Sequence, residues 1–283
     1  MNRKLLEEKA AGCLMKAASL IILSVLALIL ATILLKGLPA LNLDMITKTP
    51  RGGFYLGKEG GILNAIVGSL YLAGGATLLS LLLSLPIVLY LNVFAGKRSY
   101  LAAFTRFSLD VLWGVPSIVY GAFGFTIMLF LGLRASLLGG MIAVTLLVLP
   151  IMSRTMDEVM RMVPAELLDA SYALGATRVE TAFKVMTRQT LPGILTAVLI
   201  AFGRGIGDAA SVIFTAGFTD HIPGSLLQPA ATLPLAIFFQ LGTPFPEVQQ
   251  RAYASALILT IVILFVCVTS RLLIRKSSKN IIK

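Results

Sequence analysis

Residues 164–194 read PAELLDASYALGATRVETAFKVMTRQTLPGI. They are the most polar interior part of a chain otherwise built from long apolar runs. The pattern predicts two short helices joined at a glycine. Pro164 suits the first turn of a helix, where a missing N–H is not needed. Leu167, Leu168, Ser171, Tyr172 and Leu174 recur at three- and four-residue spacings and give one mostly apolar face. Gly175 is placed to end this helix in a left-handed cap. Thr177 and Glu180 form a T-x-x-E capping box that starts the second helix, with Val179, Ala182, Phe183, Val185 and Met186 as its inner stripe. Pro192 marks the expected next break. Connections between helices usually run about 2–8 residues. The region 154–190 is far longer and well capped, which favours a docking element for a partner over an ordinary interhelical loop.

The flanking sequence says what this polar wedge is embedded in. Of 283 residues, 57% are hydrophobic and 13% charged, against about 25% charged in soluble domains. This is the composition of an integral membrane protein, read as one transmembrane domain over 1–283. Ala17–Leu35 is uncharged for 19 residues, about one bilayer crossing. It follows a mixed-charge segment without a small-x-small cleavage site, so it is expected to stay as a membrane helix rather than leave as a signal peptide. Further spans are expected within Ile62–Gly96 (an interfacial or tilted start, with a bend at Pro86), then at Val111–Leu133, Ala135–Ser153, Gln189–Phe218 and Ala252–Ser270, the core spans covering about 62–275. The proline-rich loop Thr219–Arg251 carries an apolar middle, LPLAIFFQL, that suits a re-entrant or interfacial piece.

Six spans put both termini on one side. The net charge is +11. It collects at span ends, which speaks for membrane topology rather than for nucleic acid. Counted by side, 17 Lys and Arg fall with the termini and the wedge, and six (Lys36, Lys48, Arg51, Lys58, Arg134, Arg251) fall opposite. The positive-inside rule then places termini and wedge in the cytoplasm of a cell-membrane protein.

Arg204 is the charge in most need of an explanation. It falls about halfway along the expected fifth span, and an arginine at mid-bilayer costs about 2.5–3.5 kcal/mol on insertion scales. Asp208 stands four residues on, hence on the same helix face. Two readings remain: an ion pair closed on itself between helices, or an anion site in a translocation path, since guanidinium matches oxyanion geometry in bidentate fashion. Gly203, Gly205 and Gly207 beside it permit close helix packing or local unwinding, and packing is the expected use. Gly114, Pro116 and Ser117 suggest a kink in the third span with a hydroxyl beside it. Asp110 either caps that helix or pairs with a basic loop residue.

Other classes are excluded by what is missing. Cys13 and Cys267 lie far apart, and His221 is the single histidine, so neither a disulfide framework nor a metal cluster is indicated and no cofactor is implied. No G-x-x-x-x-G-K-[ST], G-x-S-x-G or H-E-x-x-H occurs. The chain has no nucleotide site of its own, and neither an enzyme nor a gradient-driven carrier with paired inverted broken helices fits.

At the wedge the residues resemble the cytoplasmic coupling loop of bacterial ABC importer permeases, whose pattern is E-A-A, three residues, Gly, then about nine residues and a branched aliphatic. Asp169, Ala170 and Ser171 stand at the E-A-A positions, Gly175 at the glycine, Val185 at the aliphatic, and Leu191-Pro192-Gly193-Ile194 completes the motif. Asp for Glu, Ser for the second Ala, and Thr187-Arg188 for the usual Leu-Pro are departures. GVPSIVYGAFG (114–124), GRGIGDAA (203–210) and QPAATLP (228–234) resemble signatures of the phosphate-specific permeases, so the likeness covers nearly the whole chain.

The resemblance implies an all-α, six-span type I ABC importer permease fold. It implies coupling to a separate ATPase through Glu166, Asp169, Ala170, Ser171, Gly175, Ala176 and Thr177, and a substrate path including Arg204, Asp208 and Ser117. The implied partners are ATP-binding subunits, a second related permease, an extracytoplasmic phosphate-binding protein received by loops Leu38–Gly61 and Thr219–Arg251, and membrane lipid. The implied substrate is inorganic phosphate; another oxyanion (molybdate, tungstate or sulfate) is the alternative.

Overall fold

The computed structural model describes residues 3–51, 59–96 and 99–277. Of the basic residues in the side count, Lys58, Lys97, Arg98, Lys279 and Lys283 lie outside them, as does the middle of the loop Leu38–Gly61. Helix α1 (Arg3–Gly37) is followed by α2 (Leu43–Thr47) and a small antiparallel pair, β1 (Pro50–Arg51) with β2 (Glu59–Gly60). Then come α3 (Leu63–Leu89, continued by a π turn at Tyr90–Phe94), α4 (Tyr100–Trp113), α5 (Ser117–Phe130) and α6 (Leu137–Arg161). The wedge holds α7 (Ala165–Ala173) and α8 (Arg178–Glu180), which runs through a π segment (Thr181–Met186) into α9 (Thr187–Ile206). Helices α10 (Leu233–Leu241) and α11 (Pro246–Ser277) complete the chain. Among the described residues, five helical stretches are long and apolar enough to cross a membrane, and α4 with α5, bent by 103°, makes a sixth if counted as one broken span.

Helix α6 is the centre of the packing. Hydroxyls join it to α3: Ser153 Oγ donates to Ser84 Oγ (2.9 Å) and Thr145 Oγ1 to the Ala76 carbonyl (3.3 Å). Such interhelical bonds and small residues replace the hydrophobic drive that lipid removes. Glycines bring α9 against α6 at two levels, Gly193 on the Val159 side chain and Gly205 on Val144. Around these contacts sits an apolar core that includes Leu72, Val148, Met152, Met156, Met186 and Ala197. By contrast, α1 leans on α11, with Gly37 against the Tyr253 carbonyl and Lys36 Nζ 4.9 Å from the Tyr253 ring.

Several expectations are corrected. The second span has no interfacial lead. It is helical from Leu63 to Phe94, 32 residues, about 48 Å at helical rise, so it must tilt or protrude from a core about 30 Å thick. Pro86 lies inside this helix. The third span does not run unbroken from Val111 to Leu133. Gly114–Pro116 stops α4, Pro116 adopts an extended ψ of 140°, and α5 restarts at Ser117. Tyr120 straddles the break by donating its hydroxyl to the Leu112 carbonyl (2.8 Å). Pro192 is not a break either but lies within α9. A proline in a membrane helix is tolerated where neighbours satisfy the freed backbone. The fifth span ends at Ile206 rather than Phe218, and the last helix begins at Pro246 rather than Ala252. The apolar LPLAIFFQL does become a helix, α10, of 9 residues. That is too short to cross.

Asp110 pairs with a basic residue, as one of its two readings had it, although the partner is helical: Arg154 Nε lies 2.7 Å away. This pair borders a larger knot that the sequence did not announce. The Asp157 side chain is 0% exposed. It accepts from Arg106 Nε (2.9 Å) on α4, Asn92 Nδ2 (2.7 Å) on the π turn and Arg154 Nη1 (3.2 Å) on α6, with Arg161 Nε at 3.5 Å. Removing one partner of a buried ionic cluster costs about 3–5 kcal/mol because the rest stay buried and uncompensated. Asp157→Asn should therefore lower the thermal unfolding temperature in detergent strongly. Asp110→Asn, at a half-exposed carboxylate, should cost less than about 1 kcal/mol.

Candidate functional site

The wedge folds as its caps dictate. Gly175 takes φ +84°. Its N–H donates to the Tyr172 carbonyl (2.9 Å) and that of Ala176 to Ser171 (3.2 Å), the paired closure that only a left-handed residue allows at low cost. Thr177 and Glu180 form both halves of the capping box. Ser171, where the importer pattern has Ala, shares a 2.9 Å hydrogen bond with Thr181 Oγ1 and so ties the two wedge helices together. The inner stripe is narrower than expected. Thr181, Ala182 and Met186 are buried, whereas Val179 and Phe183 face outward. Tyr172 and Leu174 are exposed too, Leu174 at 89%, with Met162 nearby in the chain. The wedge thus presents an apolar outer surface. Asp169 and Ala170 are exposed on it, Glu166 lies in the first turn of α7, and Ala176 is half-buried.

At its far end α9 unwinds. Gly207 closes the helix and residues 208–216 form a chain of turns. Arg204 therefore sits in the last helical turn, not at mid-span. There the unpaired carbonyls at the helix end favour a cation by about 0.3–1 kcal/mol, and the broken backbone supplies polar surroundings. The nearby glycines divide their roles: Gly205 packs closely on Val144, Gly207 ends the helix, and Gly203 faces open space.

Asp208 is not mainly a partner of Arg204. Its Oδ2 accepts from the Ser211 N–H (2.8 Å) and hydroxyl (2.6 Å), capping the turn that follows. Its Oδ1 lies 3.4 Å from Arg204 Nη2, too long for a strong charged hydrogen bond. The Asp208 side chain is 3% exposed and that of Arg204 46%. Arginine carries five N–H donors, so most of this guanidinium is available. The expectation of a shared helix face fails because Asp208 lies past the helix end. Asp208 holds the turn, and Arg204 projects beside it.

The sequence signatures converge here. Gly121 of α5 lies against the turn, where an added Cβ would come within 2.8 Å of the Ser211 carbonyl and 2.9 Å of Ala210. Ser136, the N-cap of α6, donates its N–H to the Thr215 carbonyl (2.9 Å), and Ala230 donates to Ala216 (2.9 Å). Leu233 N–H donates to Ser69 Oγ on α3 (2.7 Å). Segments 114–124, 203–216 and 228–234 are thus one construction. Ser117 begins α5 one turn before Gly121, and no hydrogen bond joins it to Arg204 or Asp208 among the described residues. Ser211 and Thr215 were not foreseen; the D-x-x-S spacing of a cap was the available signal.

Residues 89–283 match the family described as the binding-protein-dependent transport system inner membrane component. The chain belongs to this family. Its similarity extends to curated relatives: 34% identity over 245 residues (86% of this chain, 85% of the relative) to the phosphate transport system permease protein PstA of Haemophilus influenzae. Identity is 32% over 269 residues (92% of each) to the probable phosphate transport system permease protein PstA of Methanocaldococcus jannaschii. Among solved structures, it resembles a chain of the inward-facing MetNI methionine ABC transporter (TM-score 0.62, 18% identity, 76% of this chain and 95% of that one). It also resembles a chain of a bacterial alginate ABC transporter solved with its alginate pentasaccharide-bound periplasmic protein (TM-score 0.65, 12% identity, 99% of each). At such identities the structures establish the fold, that of an ABC importer permease, and an inner membrane component with several spanning helices is what the family description and the apolar helices agree on.

The close fit of α5 to the turn gives a test. Gly121→Val should destabilise the protein by roughly 1–3 kcal/mol, as overpacking does. Gly74→Ala on α3, where an added Cβ meets nothing within 4 Å, should be neutral or stabilising. Thermal melts of the two variants against the parent check this.

Proposed function

We propose that this chain is the membrane-spanning permease subunit of an ATP-driven importer of inorganic phosphate. The observation that carries the reading is the Arg204 guanidinium. It stands largely unclaimed at the end of a helix that begins in the wedge, beside a turn built from the signatures shared with phosphate permeases. The names of the 32–34% identical relatives support phosphate as the substrate.

In this reading Arg204 takes phosphate through charged hydrogen bonds. Asp208 keeps the turn shaped and holds a negative charge nearby, so the anion is bound without being trapped. Ser117, a turn away from Gly121, lines the same path. The exposed apolar residues of the wedge, with Glu166, Asp169, Ala170, Ser171, Gly175, Ala176 and Thr177, dock a separate ATPase. Wedge and both termini lie in the cytoplasm in this reading, which the charge asymmetry supports. A binding protein delivers the anion to the opposite face, and a second, related permease completes the path. This chain performs no chemistry on phosphate. It moves it.

Arg204→Ala should reduce uptake of radiolabelled phosphate at least tenfold while the chain still copurifies with its ATPase, and Arg204→Lys should retain part of the uptake. Normal uptake by Arg204→Ala would exclude the site. ATPase stimulation by molybdate-loaded but not phosphate-loaded binding protein would leave the fold and change the substrate.

A further inference from the structure

Between the base of the wedge, the π turn after α3 and the start of α4 lies a cavity of about 500 Å³, within the roughly 300–1,000 Å³ of small-ligand sites. Asn92, Ser99, Arg106, Arg161, Ala165 and Leu168 are among its walls. No carboxylate lines it among the described residues. The nearest, Asp157, is fully enclosed and already accepts from Arg106, Asn92 and Arg154.

The two arginines on the wall keep donors in hand. Arg106 commits Nε and Nη2 to Asp157 and the Leu91 carbonyl, leaving Nη1 without a bond among the described residues. Arg161 touches Asp157 only through Nε at 3.5 Å, and its side chain is 47% exposed. Ser99 accepts from Ala102 N–H at the start of α4, so its own hydroxyl proton is free to be donated. Two guanidiniums, a hydroxyl and a half-apolar wall thus face a space that holds no fixed negative charge.

We propose that this cavity is a binding site for a phosphate-bearing group, held by Arg161 and Arg106 and distinct from the Arg204 site. Guanidinium presents paired donors that fit phosphate oxygens. Its position at the membrane end of the wedge admits two sources of the same chemistry: the headgroup of an anionic phospholipid, as in basic pockets between membrane helices, or free phosphate. Because residues of α4 and of α7 both line it, an occupant touches the wedge and α4 together. The proposal is independent of the transport reading.

The test uses the assembly purified through a tag on this chain and delipidated. Two probes are measured, retained phosphatidylglycerol by native mass spectrometry and radiolabelled inorganic phosphate by equilibrium dialysis. Both are read in an Arg204→Ala background, so that phosphate held at Arg204 does not enter the measurement; there Arg161→Gln should lower binding of one probe at least tenfold. Ala103→Phe, on the α4 wall of the cavity, adds bulk there and removes no guanidinium; it should produce the same loss and serves alone if Arg161→Gln does not fold. Loss of phosphatidylglycerol identifies a lipid headgroup, and loss of phosphate identifies the free anion. Unchanged binding of both probes, or loss in Arg161→Gln with full binding in Ala103→Phe, overturns the proposal.

Discussion

A helix transmits a push while its backbone stays helical, and here one helical run, through the π segment Thr181–Met186 and past Pro192, joins the two features that matter. From Arg178 to Ile206 the chain is helical for 29 residues, about 43 Å, with the capping box at one end and Arg204 in the last turn at the other. Two glycines hold this rod against α6, Gly193 near the wedge and Gly205 near the arginine. Gly193 admits the Val159 side chain where a Cβ would stand, so the rod packs closely on α6. Beyond Ile206 the rigidity stops, and the turn held by Asp208 and Ser211 takes up whatever the rod delivers.

The Asp157 knot is a second fixed point beside that rod. It joins α4, the π turn after α3, and α6, and so holds these elements at a set spacing. A carboxylate with no exposure is costly in isolation, and three bonded side chains with a third guanidinium nearby offset that cost. Arg178 reaches across from the wedge to the Phe94 carbonyl at 3.4 Å, a long single bond and therefore an easily broken one. Strong contacts lie within the frame, and weak ones lie between frame and wedge.

The wedge was legible because its signals are local. Gly175 and the Thr177–Glu180 box act over three or four residues, and nothing tertiary competes with them. The apolar runs gave the spans for the same reason. Helix ends inside the membrane were not legible. Gly207 and Gly114–Pro116 stop helices where hydropathy stays high, and Pro86 and Pro192 stop nothing, although each removes one backbone donor. Arg204 stands out in the sequence as the charge to explain, but its position at a helix end follows from the unwinding at Gly207, which composition hides. The Asp157 knot was invisible because its members come from positions 92, 106, 154, 157 and 161, and only folding brings them together.

The central claim is that α9 is the link between wedge and anion site. Its most direct test softens the rod between them without touching either end. In Leu199→Gly/Ile200→Gly each glycine costs about 1 kcal/mol of helix propensity. The measurement is phosphate moved per ATP hydrolysed by the reconstituted transporter. The account predicts that hydrolysis continues while this ratio falls several-fold. An unchanged ratio in a variant that assembles and hydrolyses normally would contradict it.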